Sequence, residues 1–314
     1  MPIKNPGEIE TVLGQDFRIE RIVGFGNYAE VYQAVNQDNG DKVALKIYSR
    51  PINTFVRKLI DNGHKIRSQH PEIPNNRLIN PFITELNSAT PRVAYNFVDG
   101  VSATHQSDTA IDLTQQIKYG RSLALNTATT LDPLKNNGLI HRDIKADNIQ
   151  IEPTLAHATL MDIDSLIEEG NQPDTGEFTY GTSLFMSPEQ IIHDSHISPA
   201  SDMFNLAATV TFYHLDWETA AIIDIGTMTT NPSIVFKKRI GSSITNSVEK
   251  QKRLLNLDRF PEEVRDQAHG LLMFIIAGLQ PDPKARPANS TEVKQLLDST
   301  RNATMYCGPV TFSI

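Results

Sequence analysis

The sequence has little cysteine and little positive charge. Its single cysteine, Cys307, cannot form a disulfide within the chain or join a cysteine cluster around a metal. This favours a reducing compartment, so we expect a cytoplasmic protein. The 29 lysines and arginines are outnumbered by 37 aspartates and glutamates, which gives a net charge of −8. Such a chain has no general attraction to nucleic acid or to an anionic membrane surface. Any phosphate site must therefore be local.

Long apolar runs are also missing. The densest one, from Leu271 to Leu279, falls well short of the roughly 20 residues that cross a bilayer. We interpret it as a core helix and expect no membrane insertion. The first ten residues have no apolar stretch behind their lysine, so no signal peptide or lipidation motif is predicted. The 314 residues, 39% of them hydrophobic, indicate a globular protein with two lobes or domains.

Strand patterns dominate the first third of the chain. Apolar residues alternate in three stretches between residues 17 and 48, and again at residues 92–100. The pair Asn39-Gly40 favours a tight hairpin, because both residues tolerate positive φ. One helical stretch, residues 53–69, contains Gly63, which predicts a short or kinked helix. These patterns predict an antiparallel sheet with one helix.

Helix patterns dominate the rest of the chain, interrupted by a predicted hairpin of two short strands at residues 148–152 and 157–164. The helical stretches begin near Ser, Thr, Pro or Asp residues, which are common at helix starts. They cover residues 113–134, 199–215, 268–279 and 290–300. Residues 229–249 are polar and predict a connection. The pattern as a whole indicates an α+β fold.

A glycine-rich segment, "VGFGNYAEV" from Val23 to Val31, lies between two predicted strands. Gly24 and Gly26 would let this hairpin fold closely over a bound phosphate chain, although such glycines are more often turn chemistry alone. Lys46 follows in "VALK", an apolar strand where an ammonium is costly unless an anion meets it. Taken alone, an anion site and a solvated strand face both explain this lysine.

The segment "HRDIKADN", from His141 to Asn148, concentrates chemical groups behind the apolar "GLI". Asp143 suits a general base or a hydroxyl-orienting carboxylate in a transfer to an alcohol. Lys145 could steady charge on a transferring phosphoryl group. Asn148 and, after a hairpin, Asp162 offer oxygen ligands to Mg²⁺. We expect His141 to pack below the loop.

These segments belong to a set of motifs that occur in a fixed order. The motifs are "GFGNYAEV", "VALK", "HRDIKADN", "DID", "GTSLFMSPE", "SDMFNLA" and "DPKARP". Together they resemble the eukaryotic-like serine/threonine protein kinases, over roughly Phe17 to Ser299. The resemblance implies a bilobal α+β fold, with a small β-rich N-lobe and a larger helical C-lobe. We predict an N-terminal extension, an N-lobe, a C-lobe and a tail at residues 1–14, 15–99, 100–300 and 301–314.

The resemblance assigns roles at the catalytic centre. It implies that Lys46 contacts the α and β phosphates of ATP and that Asp143 is the catalytic aspartate, aided by Lys145. It places Asn148 and Asp162 on Mg²⁺, with Mn²⁺ as an alternative. The form of this loop, with Lys145, resembles the serine/threonine branch, and Thr182 agrees with that assignment.

The resemblance also outlines a nucleotide pocket. It puts Tyr95 at the gatekeeper position and Asn96 to Val98 along the hinge, where backbone groups would bind adenine. Gln150 stands at the pocket floor, where an apolar residue is usual. The remaining pocket residues are Val23, Gly24, Gly26, Val31 and Ala44.

Three further residues are structural in the family. The resemblance implies that Glu189 of "SPE" pairs with Arg286 and that Asp202 braces the catalytic loop. An arginine directly before the catalytic aspartate, here Arg142, resembles the pattern of family members that are regulated by phosphorylation of the activation loop.

The candidate phosphoacceptors in that loop are Thr175 and Thr179. Asp174 and Glu177 in the same loop offer the alternative that it is ordered without modification.

The sequence departs from the family at two places near Lys46. The predicted helix contains no glutamate to pair with this lysine; Asp61 falls at the matching position, and Glu72 is a less plausible substitute. In "DID", Ile163 and Asp164 replace the phenylalanine and glycine of the family motif. A side chain at residue 164 predicts a biased conformation at Asp162.

Three functions follow from these observations. The first is an active kinase that transfers the γ-phosphate of Mg·ATP to a Ser/Thr hydroxyl of a protein substrate, including its own activation loop. The second is a pseudokinase or nucleotide-binding scaffold. The third, a small-molecule phosphotransferase, is disfavoured by the full-length activation segment and by Lys145.

Overall fold

The structure is a computed structural model. It describes residues 3–26, 28–50, 52–103, 112–152, 157–171, 181–182, 184–191, 197–214, 256–300, 305–307 and 310–312. Within these ranges, the chain forms an antiparallel sheet with one helix, followed by a mainly helical region, which confirms the predicted α+β kinase-like fold. No helix in the described part of the chain has the length and apolar character of a membrane span.

The N-terminal sheet has six antiparallel strands in the spatial order β1-β2-β3-β4-β6-β5. They are β1 (Ile9–Val12), β2 (Gln15–Phe25), β3 (Glu30–Asn36), β4 (Lys42–Ile47), β5 (Pro81–Glu85) and β6 (Arg92–Asn96). The β3–β4 hairpin confirms the prediction for Asn39-Gly40, but only Gly40 has positive φ, at 79°. Strand β1 lies within the stretch that we predicted to be an extension.

The two faces of this sheet have different partners. On β4, Val43, Leu45 and Ile47 point into a buried cluster within the N-lobe. Because side chains alternate along a strand, Ala44 and Lys46 point to the opposite face. That face packs against α1 and the rest of the core, so it is the face that can meet a ligand between the lobes.

Helix α1 (Thr54–Gln69) runs for 16 residues without interruption, so our prediction of a short or kinked helix was wrong. Gly63 lies where the helix presses on the turn after Asp162. A Cβ added to it would collide with the carbonyl oxygen of Ile163. This glycine therefore permits a close approach between the helix and that turn.

Arg67 fixes the C-terminal end of α1 to the segment that follows. Its side chain is fully buried, and its guanidinium donates to four backbone carbonyl groups and to one side-chain oxygen. The acceptors are the carbonyl oxygens of His70, Ile73, Leu78 and Ile79 and Oδ1 of Asn75, at 2.6–3.2 Å.

We expect Arg67→Met to lower the free energy of unfolding by about 2–3 kcal/mol, because it leaves several buried carbonyl groups without donors. Lys65→Met, an exposed position on the same helix, is the matched control and should change stability by less than about 0.5 kcal/mol. Urea unfolding measures both values. Equal stabilities of the two variants would contradict this account of Arg67.

The C-terminal region packs helices around one large core. The α-helices that the structure describes in this region are α2 (Leu113–Asn136), α3 (Pro188–Ile191), α4 (Pro199–His214), α5 (Arg265–Gly278) and α6 (Ser290–Leu297). The short strands are β7 (Val101–Ser102), β8 (Leu139–Ile140), β9 (Ile149–Ile151), β10 (Ala158–Leu160), β11 (Ile167–Glu168), β12 (Met305–Cys307) and β13 (Val310–Phe312). The predicted hairpin of β9 and β10 is confirmed. The predicted polar connection at residues 229–249 lies outside the described residues.

Candidate active site

The loop after β8 is held from below. The carboxylate of Asp202 on α4 accepts from the backbone N–H groups of His141, at 2.7 Å, and Arg142, at 2.8 Å. His141 is fully buried, and its Nε2 lies 2.9 Å from the carbonyl oxygen of Met161. The predictions for His141 and Asp202 are therefore confirmed. Burial raises the pKa of Asp202, although the groups around His141 and Arg142 oppose this rise.

Asp143 is the centre of a network at the end of this loop. Its Oδ1 accepts from the backbone N–H of Thr182, at 2.9 Å, and from Oγ1 of the same residue, at 3.0 Å. Its Oδ2 accepts from Nδ2 of Asn148, at 2.9 Å, and lies 3.0 Å from Nζ of Lys145. Lys145 also donates to Oγ1 of Thr182, at 2.9 Å. These four contacts, made by three residues, fix the orientation of the carboxylate.

The charge state of Lys145 follows from this contact. Burial alone lowers its pKa, but the carboxylate of Asp143 outweighs that effect, and the pKa is raised above its ordinary value. Lys145 is therefore a cation at neutral pH, beside the oxygen that would receive or orient a hydroxyl proton.

Lys46 pairs with two carboxylates of the "DID" turn. Its Nζ lies 2.8 Å from Oδ1 of Asp162 and 2.7 Å from Oδ2 of Asp164. Burial lowers the pKa of Lys46, yet these two carboxylates raise it well above its ordinary value. No ion pair joins Lys46 to Asp61, although the structure describes both residues. In this structure the turn, and not the helix, supplies the carboxylates that contact Lys46, so the assignment of Asp61 stays a prediction.

Asp162 combines a left-handed backbone with a partly exposed side chain. Its φ of 61° and ψ of 82° are left-handed, and its side chain is 38% exposed, whereas that of Asp164 is 10% exposed. Nδ2 of Asn148 faces Asp143, which leaves its Oδ1 as the atom that suits a cation.

These donors fit a magnesium ion. Asn148 and Asp162 together offer a neutral oxygen and a carboxylate. The backbone carbonyl of Asn148 accepts from the N–H of Met161, one residue before Asp162, at 2.8 Å. Within the described residues no group of three or more His, Cys, Asp or Glu side chains could hold a metal. A two-ligand site that leaves coordination positions for water and phosphate is what Mg²⁺ prefers.

The predicted nucleotide pocket lies on the sheet face that carries Lys46. Val31 pairs with Gly24 on β2 and with Lys46 on β4, and Ala44 pairs with Tyr95 on β6. Directly opposed residues in a sheet point to the same face. The sheet register therefore brings five of the predicted pocket residues together on the side that faces the C-lobe.

The remaining predicted pocket residues lie around this face. At the β2–β3 turn, the N–H of Gly26 donates to the carbonyl oxygen of Ala29 at 2.7 Å, and Val23 on β2 is exposed. Asn96 ends β6, where the predicted hinge begins, and Val98 packs on the large core. Gln150, on β9, has a buried Oε1 that accepts no hydrogen bond from the described residues.

Comparison with known proteins agrees with this geometry. A family model for the protein kinase domain matches residues 17–299. The chain belongs to the protein kinase family. It is 24% identical to the serine/threonine-protein kinase AtPK2/AtPK19 of Arabidopsis thaliana over 93% of this chain and 56% of that protein.

Two further relatives match a smaller part of this chain. The serine/threonine-protein kinase PknA of Mycobacterium tuberculosis is 25% identical over 63% of this chain and 46% of its own length. The serine/threonine-protein kinase SCH9 of Candida albicans is 22% identical over 64% of this chain and 26% of its own length. The kinase described here thus spans about half or less of the length of these relatives.

The pair predicted between Glu189 and Arg286 of this kinase is confirmed. The guanidinium donates through Nη1 to Oε1, at 2.6 Å, and through Nη2 to Oε2, at 2.9 Å. Ser201 donates to the same Oε1 at 2.7 Å. Burial raises the pKa of Glu189, but the contacts with Arg286 and Ser201 lower it below its ordinary value.

The activation segment is described only in part. Thr175, Thr179, Asp174 and Glu177 lie outside the described residues, so the predictions for them stay predictions. Arg142 donates through Nε to the carbonyl oxygen of Ser165 at 2.6 Å, which directs its side chain towards the start of this segment.

Two residues near Lys46 were missed by sequence reasoning. The hydroxyl of Tyr48 donates to the carboxylate of Asp164 at 2.8 Å, and Nε2 of His64 lies 3.4 Å from the same carboxylate. Tyr48 reads as an ordinary residue at the end of a strand and His64 as one on a helix. No local sequence pattern marks either residue, because each meets Asp164 across 100 positions of the chain or more.

Proposed function

We propose that this kinase is an active serine/threonine protein kinase. It transfers the γ-phosphate of Mg·ATP to a Ser or Thr hydroxyl of a protein substrate, and it phosphorylates its own activation segment. The observation that carries the proposal is the network that orients Asp143 through Asn148, Lys145 and Thr182. The single cysteine supports a cytoplasmic location.

The proposed mechanism assigns one task to each group. Lys46 binds the α and β phosphates of ATP, which are held between the lobes. Asp143 accepts a hydrogen bond from the substrate hydroxyl and aligns its oxygen with the γ-phosphorus. Lys145, a cation at this position, stabilises negative charge on the transferring phosphoryl group.

A divalent cation has a place in this arrangement. Asn148 and Asp162 would hold Mg²⁺, which supplies positive charge to the phosphate oxygens during transfer. Membership of the family implies ATP and a divalent metal, and the partly exposed carboxylate of Asp162 supports this site.

Serine/threonine specificity rests on Lys145 and Thr182, which the Asp143 network joins, and on the names of the distant relatives. The test is transfer of labelled γ-phosphate from Mg·ATP to the kinase itself and to a generic basic acceptor protein, followed by phosphoamino-acid analysis. We expect phosphoserine and phosphothreonine, with no label in Lys46→Met. Label on tyrosine alone, or equal labelling of the variant, would contradict the proposal.

A nucleotide-binding scaffold is the second candidate. Two observations favour it. In the predicted adenine pocket, Oε1 of Gln150 is buried and has no hydrogen-bond partner among the described residues, and Lys46 is already paired with two carboxylates. Tight nucleotide binding by wild type without label on itself or on any acceptor would support this candidate over the first.

A further inference from the structure

The carboxylate of Asp164 is enclosed by groups from two different elements. Oδ2 contacts Nζ of Lys46 at 2.7 Å, and the hydroxyl of Tyr48 bridges both oxygens at 2.8 and 2.9 Å. Nε2 of His64, which belongs to α1, approaches Oδ1 at 3.4 Å. Asp164 therefore lies between the lysine of β4 and the helix.

The two carboxylates on Lys46 differ in their surroundings. Asp162 reaches solvent, so a cation or phosphate can compete for its contact with the lysine. Asp164 is buried, so its contact with the lysine is shielded from solvent. Because a buried partner is expensive to remove, Asp164 is the one that fixes the position of Nζ.

The helix contacts the turn at the same place. Gly63 brings its backbone against the carbonyl oxygen of Ile163, and His64 follows with its ring on Asp164. Helix α1 contains no glutamate, and Asp61 makes no ion pair with Lys46 although the structure describes both. The link from the helix to the lysine thus passes through His64 and Asp164.

We propose that Asp164 is the positioning residue for Lys46 in this kinase, and that His64 couples α1 to it. In this kinase the carboxylate that orients the lysine belongs to the turn and not to the helix, and the histidine connects that carboxylate to the helix. This inference deepens the proposed function, on which it rests. It explains how a residue at the glycine position of the family motif serves nucleotide binding.

The test compares Asp164→Asn, Asp164→Gly and the double variant His64→Glu/Asp164→Gly. Asparagine keeps the shape and removes the charge, and glycine restores the family residue. The double variant returns a carboxylate from the helix, because a glutamate at residue 64 has roughly the reach of the histidine.

We expect both single variants to raise KM for Mg·ATP by about tenfold or more, with a smaller change in kcat, since Lys46 loses its fixed partner. The double variant should return KM to within about threefold of wild type. A role in stability alone would not produce this rescue. Asp61→Asn tests the rival assignment of Asp61 as the partner of Lys46. An increase in KM as large as that of Asp164→Asn would overturn the proposal. A double variant whose KM is as high as that of Asp164→Gly would also overturn it.

A second readout does not depend on catalysis. Without nucleotide, hydrogen exchange in residues 54–69 should accelerate in Asp164→Gly and slow again in the double variant. If wild type binds Mg·ATP without turnover, its Kd from calorimetry replaces KM, with the same expected pattern. Wild type that binds no Mg·ATP would refute the proposed function, whereas unchanged exchange in Asp164→Gly would refute the role of Asp164.

Discussion

We expect Asp143→Asn to lower kcat for γ-phosphate transfer by about 10³-fold, within the range that a positioned general base contributes. Both oxygens of Asp143 accept hydrogen bonds: Oδ1 from Thr182, and Oδ2 from Asn148 and Lys145. An amide at this position must direct its NH₂ group at one of these donors. The variant therefore loses both the charge and the orientation of the group that receives the substrate hydroxyl.

The nucleotide contacts are expected to survive this change, since Lys46 and Asp162 are held by a different set of contacts. Calorimetry should give an affinity for Mg·ATP within about threefold of wild type. Asp143→Ala, which presents no misplaced donor, should show the same loss of kcat. A variant that binds nucleotide normally and still transfers phosphate at more than about a tenth of the wild-type rate would exclude Asp143 as the catalytic aspartate.

The second large effect concerns stability. We expect Arg286→Met to lower the free energy of unfolding by about 3–5 kcal/mol, because it leaves the carboxylate of Glu189 buried without its cation. Lys294→Met is the matched control: Lys294 pairs with Asp298 on the surface, and its loss should cost less than about 1 kcal/mol. Urea unfolding measures both variants.

The double variant Glu189→Met/Arg286→Met separates the two causes of this loss. It removes the uncompensated charge, so it should recover a large part of the stability that Arg286→Met loses. If the double variant is less stable than the single one, the loss in Arg286→Met comes from packing, including the contact of its guanidinium with Phe204, and not from the buried charge.

The sheet and the hairpins of this kinase could be predicted where the signal is local. Alternating apolar residues and the turn at Gly40 predict the pairing of β3 and β4, which the structure confirms. Strand β5 was missed because it begins at Pro81. It is an edge strand, where a proline at the first position removes no needed hydrogen bond, and sequence alone does not reveal which strand is at the edge.

The surroundings of Lys46 could not be predicted, because they depend on contacts between distant segments. Gly63 was expected to weaken α1, yet the close approach to Ile163 requires it there. Asp164 was interpreted only as a replacement for glycine. Asp164 lies 118 positions after Lys46 and 100 positions after His64, and no periodic pattern in the sequence records contacts over such separations.

The central claim is that this kinase is catalytically active, and its most direct test is a single-turnover measurement of γ-phosphate transfer at saturating ATP. Calorimetry on the same sample establishes that nucleotide is bound. The account predicts transfer with Mg²⁺ present, loss of transfer when EDTA removes the metal, and recovery when Mg²⁺ returns. Saturated nucleotide binding with no Mg²⁺-dependent transfer, to the kinase itself or to an acceptor protein, would contradict it.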